Sequence, residues 1–423
     1  RMRRLFFLLL VPAILFAARC DASQGAIDRF FTAIQKNDFV AATDCLNQSL
    51  KSGLSPQSLE KLWLDGYAKE GPLKSWQVIH SDPIPGGLEQ TVKLQFAKTD
   101  ATAKIAVASE SDRIASLYFK PAQSSMPATS PPYADASKFR SLDVVVNSPP
   151  VHLPGTITIP NGRGPFPAVL LVHGSGTHDR DETVGPNHIF KDIAEGLSSR
   201  GILVLRYDKR SFIHSIRMTT VDAELVDDAA AAIEMLRARG DVAKDRIYIV
   251  GHSLGAELAP DIAKRAWPIA GIVMLAPPGH KLEQVIVQQM RFLKETSPTD
   301  MMKVEEQANR ISKHQMQPDE SMMGAPASYF YDMDNRNEVA LARTLDVPIL
   351  ILHGTRDYQM TEDNIRVWQK GLKGDAKVKI EELPDLNHLF IKGHGTPDPA
   401  EYQIPGHVDQ SVIDLITNFI ESR

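Results

Sequence analysis

The sequence predicts an α/β fold: a mostly parallel, doubly wound sheet with a helical insertion, preceded by a small α+β domain. Three observations carry that prediction. From residue 139 on, short runs rich in Val, Ile and Leu alternate with helical patterns, as strands covered on both faces do. One of those runs, 246–250, enters Gly251-His252-Ser253-Leu254-Gly255 and then Ala256-Glu257-Leu258-Ala259, a strand, a tight turn and a helix. And 423 residues exceed one ordinary core, while Pro121, Pro127, Pro131 and Pro132 stand among Ser, Ala and Thr in a linker at 121–138.

Taken in order, the chain opens with Arg1, Arg3 and Arg4 before an apolar run at 5–18 and small residues. That pattern reads as a secretory signal peptide over 1–22, so a secreted or periplasmic location is expected. The run is short for a bilayer span, and no span is expected once it is removed. Lipoprotein attachment at Cys20 ranks second, because Arg19 precedes it where such signals carry a small residue. Removal of Cys20 leaves Cys45 without an internal disulfide partner.

Residues 24–120 form the small α+β domain. Ile27, Phe30, Phe31 and Ile34 recur at helical spacing, a second helix covers 39–46, and Ser55-Pro56 opens a third. Strand-forming stretches follow at 76–79, 90–96, 101–109 and 114–119. His80 and Asp82 read as surface loop residues.

Residues 139–423 form the α/β domain. An antiparallel pair at 142–146 and 153–159 opens it. Strands are predicted at 168–172, 202–207, 246–250, 269–275, 347–352 and 378–383, with helices at 189–199, 221–239 and 408–420. Between about 279 and 346 the alternation breaks into helical segments at 282–293, 300–314 and 338–345, a cap over the strand ends. Met301, Met302, Met316, Met322 and Met323 crowd it, either as cap core or as an apolar wall for a substrate. Tyr329 and Tyr331 are the candidate substrate-binding residues there.

The chemistry centres on Ser253. Glycines on both sides of a strand-to-helix serine let it project above the sheet, at a helix N-terminus. A serine nucleophile needs a base within hydrogen-bond reach and a carboxylate to hold that base in the right tautomer. Asp357 lies just past strand 347–352 and His388 just past strand 378–383, where open α/β sheets build their sites. His394 and His407 are rival bases, Asp385 and Asp363 rival carboxylates. His252 reads as a packing residue and His173 as structural. An oxyanion needs pre-aimed donors. The N–H of Leu254 is one, and the loop His173-Gly174-Ser175-Gly176 offers the other from Ser175, with Gly176 second. The formal net charge of −5 points to no nucleic-acid or anionic-membrane partner, and no run has metal-ligand spacing.

Five stretches together carry a family likeness: His173-Gly174-Ser175-Gly176 with Asp179-Arg180-Asp181-Glu182, Leu205-Arg206-Tyr207-Asp208-Lys209-Arg210, the Ser253 turn, Gly354-Thr355-Arg356-Asp357-Tyr358-Gln359, and Leu386-Asn387-His388. They resemble the bacterial carboxylesterases of the dienelactone-hydrolase-like group, on the α/β-hydrolase fold. The preceding module is similar to the nuclear-transport-factor fold. The resemblance implies a cofactor-free Ser–His–Asp esterase acting on short acyl esters, with a small-molecule ester as its partner. Ser211 departs from the family, where glycine is usual, which loosens a turn. Dienelactone hydrolases themselves use a cysteine nucleophile, so Ser253 argues against that activity. A serine peptidase, a thioesterase or an inactive binding protein on the same fold are the competing readings. The natural ester and the oligomeric state are not read from the sequence.

Overall fold

The computed structural model describes residues 25–84, 86–120, 129–213, 220–293 and 296–422. The signal-peptide reading and Cys20 lie outside the described residues. Among the described residues no helix is long and apolar enough to cross a membrane. The chain forms two compact units.

In the N-terminal unit a helix over residues 25–35 (α1) is followed by α2 (Phe39–Asp44), α3 (Gln48–Gly53) and α4 (Pro56–Tyr67). Ile27, Phe30, Phe31 and Ile34 share one buried face of α1, as their spacing requires. Asp38, Asn47 and Ser55 cap the next three helices, each accepting a backbone N–H three residues on. An antiparallel sheet follows in the order β1 (Leu73–Ile84), β2 (Gly87–Phe96), β3 (Asp100–Ala108), β4 (Arg113–Lys120). Phe31, Trp63, Tyr67, Phe96 and Phe119 form an aromatic cluster between helices and sheet. His80 and Asp82 sit on β1 rather than in a loop, exposed and 3.0 Å apart.

The C-terminal unit is built on an eight-stranded sheet. Its strands are β5 (Phe139–Ser148), β6 (Val151–Pro160), β7 (Phe166–Val172), β8 (Leu203–Tyr207), β9 (Val242–His252), β10 (Gly271–Leu275), β11 (Ile349–Gly354) and β12 (Val378–Leu383). The spatial order is β12-β11-β10-β9-β7-β8-β6-β5. β5 and β6 pair antiparallel with each other and β6 with β8, and the remaining pairs are parallel. The apolar runs read in the sequence have a simple cause: each inner strand feeds two cores. Ala168, Leu170, Val172, Ile247 and Ile249 face one, while Val169, Leu171, Tyr248 and Val250 face the other. Helix α5 (Ile189–Ser198) covers one face and α6 (Asp227–Ala238) the opposite one.

The expected helix at 221–239 begins as a π-helical turn, Asp222–Val226, before α6. The nucleophile turn leads into α7 (Leu254–Glu257) and α8 (Ala259–Arg265). The stretch expected to form a cap, about 279–346, contains α9 (Leu282–Leu293), α10 (Pro298–Ser312), α11 (Ala327–Asp334) and α12 (Glu338–Thr344). Of these, α11 was not legible as a helix. Helices α13 (Glu362–Gly371) and α14 (Gln410–Glu421) complete the unit. Part of the stretch read as linker packs onto it: the Tyr133 hydroxyl donates to the Val408 carbonyl at 2.7 Å, and the Asp135 N–H to Ser199 Oγ at 2.8 Å.

Candidate active site

Strand β9 is buried to its last residue, His252, and the chain then turns sharply at Ser253. The Ser253 backbone has φ 52° and ψ −118°, a region that costs a non-glycine residue about 1–3 kcal/mol. Its N–H is held by the Leu275 carbonyl at 2.9 Å. The flanking glycines are required by close approach. A Cβ at position 251 would lie 2.1 Å from the Gly255 carbonyl oxygen, and one at 255 would lie 2.3 Å from that of Val172. Leu254 opens α7, so its N–H has no intrahelical acceptor.

Two further loops converge on this turn. Past β11, Asp357 Oδ1 accepts the N–H groups of Gln359 and Met360, both at 2.8 Å. That leaves Oδ2 to accept from His388 Nδ1 at 2.7 Å. Past β12, Asn387 Oδ1 accepts the N–H groups of Leu389 at 3.0 Å and Ile391 at 3.2 Å, which shapes the loop that carries His388. Because the carboxylate can only accept, Nδ1 carries the proton and Nε2 is left as the basic nitrogen. Ser253 and His388 border one small cavity of about 110 Å³, which Val184, Leu389 and Tyr402 also line. Both residues are nearly buried.

None of the rivals borders this cavity. Asp385 and His394 are exposed. Asp363 pairs with Arg366 at 3.3 Å, and His407 with Asp192 at 3.1 Å.

Ser175 borders the same cavity as Ser253, while Gly176 follows it with φ +92°. The cap residues singled out in the sequence do not. The Tyr329 hydroxyl donates to Glu224 at 2.6 Å, and that of Tyr331 donates to the Met316 carbonyl at 2.8 Å. Met302 and Met323 are exposed and Met316 is buried, and none of the three borders the cavity.

Sequence reasoning missed the charged floor. Glu182, 1 % exposed, accepts the Gly174 N–H at 2.7 Å and faces His252 Nδ1 at 3.1 Å. The other ring nitrogen of His252 faces the His388 carbonyl at 3.0 Å. Both partners are acceptors, so both nitrogens donate and His252 is an imidazolium. Burial opposes its charge, but Glu182 outweighs that and raises its pKa. Burial likewise opposes the Glu182 carboxylate, yet the charged His252 beside it holds it down at about 2. His252 is therefore more than packing: it ties the strained turn to the His388 loop. The buried His173 has its pKa pushed down to about 3 by burial, and one ring nitrogen lies 3.0 Å from the Asp179 carbonyl. The available signal was local: Asp179-Arg180-Asp181-Glu182 places charges directly after a glycine loop at a strand end.

Residues 169–413 match the alpha/beta hydrolase family. Esterase EstD of Thermotoga maritima is 40% identical over 414 residues, covering 94% of this chain and 96% of that protein. Among solved structures, the Pyrococcus furiosus esterase PF2001 is 17% identical with a TM-score of 0.47, covering 67% of this chain and 91% of that one. Est1E from Butyrivibrio proteoclasticus is 16% identical with a TM-score of 0.46, covering 66% and 98%. With its sheet order, its strand–serine–helix turn and its match across more than half its length, the chain belongs to the alpha/beta hydrolase family.

Proposed function

We propose that the protein is a serine carboxylesterase that hydrolyses short-chain acyl esters through Ser253, His388 and Asp357. The observation that carries the reading is the serine at φ 52° sharing a cavity with a histidine whose Nδ1 is held by Asp357 at 2.7 Å. In this reading His388 Nε2 takes the Ser253 proton as Oγ attacks the ester carbonyl. The N–H groups of Leu254 and Ser175 receive the oxyanion. His388 then protonates the leaving alcohol, an acyl-enzyme forms, and water activated by the same nitrogen releases the acid. Asp357 stabilises the imidazolium that appears at each step. The 40% identity to an esterase across nearly the whole chain supports ester over other acyl substrates. A cavity of about 110 Å³ supports a short acyl group. The test is Ser253→Ala with p-nitrophenyl acetate. The reading expects turnover to fall to background while thermal unfolding stays cooperative, and near-normal turnover would sink it. Export is proposed from the N-terminal run alone, and N-terminal sequencing of the secreted protein checks it.

A further inference from the structure

Lys209 lies two residues past β8, 1 % exposed, with a full set of partners. Its Nζ donates to the carbonyls of Gly174 at 2.8 Å and Gly176 at 2.9 Å, and lies 3.0 Å from Glu224 Oε1. An ammonium has three donors, and here each has one acceptor. Glu224 comes from the π-helical turn Asp222–Val226 and is itself fully engaged. It accepts Ser211 Oγ at 3.2 Å and the Tyr329 hydroxyl at 2.6 Å. Burial opposes its charge, but Lys209 and these hydrogen bonds keep the carboxylate ionised, below its ordinary pKa.

The two carbonyls that Lys209 holds belong to the loop that carries the proposed second oxyanion donor. In a trans peptide the C=O of one residue and the N–H of the next point in opposite directions. A Gly174 carbonyl turned toward Lys209 therefore turns the Ser175 N–H away from it. Gly174's own N–H is held separately, by Glu182 at 2.7 Å. Both peptide planes that meet at Gly174 are thus set by buried charges. A glycine-bearing loop has little of its own to hold such a plane.

We infer that Lys209 is a positioning residue, which orients the Gly174–Ser175 peptide so that the Ser175 N–H is presented to the oxyanion. The inference rests on the serine-esterase reading above. It assigns Lys209 no contact with substrate, so its effect belongs in the transition state and not in ground-state binding.

Lys209→Met keeps the length of the side chain and removes its donors. It also strands Glu224 as a buried unpaired charge, so the double variant K209M/E224Q is made beside it. Each is assayed with p-nitrophenyl acetate for kcat and KM, for thermal unfolding, and for inhibition by a boronic acid that mimics the tetrahedral adduct. Expected in the folded double variant is a loss of about 10²–10³ in kcat, the usual effect of losing one oxyanion donor. KM should stay within threefold and boronate affinity should fall, with partial rescue of kcat in K209R. A folded double variant with kcat within threefold of wild type would overturn the inference, and so would a loss confined to KM. A double variant that does not fold also overturns it, since a hold on one peptide plane leaves the sheet intact. Ser253→Ala in the same series separates the two ideas. If that variant is inactive while K209M/E224Q keeps its kcat, only the role of Lys209 fails. If Ser253→Ala keeps its turnover, the serine reading fails and this inference with it.

Discussion

Asp357→Asn is the substitution in which the proposed mechanism and the observed hydrogen bonds make the sharpest joint prediction. Asp357 Oδ1 sits against two backbone N–H groups, from Gln359 and Met360, each at 2.8 Å. An amide NH₂ cannot replace an acceptor there, so the asparagine oxygen takes that position and the nitrogen occupies the position of Oδ2. That nitrogen then points at His388 Nδ1, where the carboxylate stood 2.7 Å away. The histidine can satisfy it only by accepting, which puts the ring proton on Nε2. A protonated Nε2 cannot take the proton of Ser253, and the imidazolium also loses its counter-charge. The same change in serine proteases costs about 10⁴ in kcat. At about 1.36 kcal/mol per decade, a loss of 10³–10⁴ corresponds to about 4–5.5 kcal/mol of transition-state stabilisation. The side chain keeps its shape and its two backbone hydrogen bonds, and the third is reversed rather than lost, so the melting temperature should move little. The assay is kcat for p-nitrophenyl acetate beside a thermal melt, with the exposed Asp385→Asn as control, expected within twofold of wild type. A folded Asp357→Asn variant that keeps turnover within tenfold would refute the reasoning.

Four further outcomes are expected. Tyr329→Phe leaves Glu224 Oε2 without its 2.6 Å donor and should cost about 1–3 kcal/mol in denaturant unfolding, with KM unchanged; a raised KM would return Tyr329 to the substrate pocket. Gly255→Ala drives a methyl to 2.3 Å from the Val172 carbonyl oxygen, so the turn must open; a folded variant with wild-type turnover contradicts the elbow geometry. Acid should weaken the fold: buried neutral His173, held at about 3 against about 6.5 unfolded, loses stability as pH falls below 6.5, and Glu182, at about 2, loses its contribution between about 4.3 and 2. Melting temperatures at pH 7, 5 and 4 check this, and no decline across them would be inconsistent. Finally, kcat/KM should drop steeply between p-nitrophenyl butyrate and octanoate, and Tyr402→Ala, which widens the cavity wall, should move the preference toward longer chains.

The strands of the central sheet were legible because parallel strands buried on both faces are apolar without interruption. Strand 168–172 missed only Phe166 and Pro167, whereas 378–383, an edge strand that carries Lys379, Glu381 and Glu382, is not of this kind, although it was read to the residue. The residues of the proposed triad were legible for a related reason: each stands within a few residues of a strand end, and strand ends can be counted. What could not be read is pairing between distant charges. Glu182 and His252 are 70 residues apart, and nothing in either neighbourhood names the other. Tyr329 and Glu224 are 105 apart, and an aromatic run in a cap reads naturally as pocket lining until its hydroxyl is seen spent on a carboxylate. The π-helical turn that interrupts 221–239 belongs with these misses, because it carries Glu224, whose partners lie elsewhere in the fold.

These misses share a physical logic. The sheet brings a serine, a histidine and a carboxylate to neighbouring strand ends, but it does not orient the glycine loop that follows β7. Gly174 holds no side chain against a neighbour, and Ser175 and Gly176 are exposed. The two peptide planes that meet at Gly174 are set instead by two buried ion pairs, Glu182–His252 and Lys209–Glu224, while the His178 ring holds the Ser175 carbonyl at 2.7 Å. Buried pairs of this kind add little net stability over an apolar replacement, because desolvation offsets the attraction. What they provide is direction. An ammonium with three acceptors, or a carboxylate that joins a backbone N–H to an imidazolium, is satisfied in one arrangement only. On that argument, K209M/E224Q, which keeps an acceptor for the Tyr329 hydroxyl, should stay folded while its turnover falls. That separation of stability from rate is what distinguishes charges kept for orientation from charges kept for the fold.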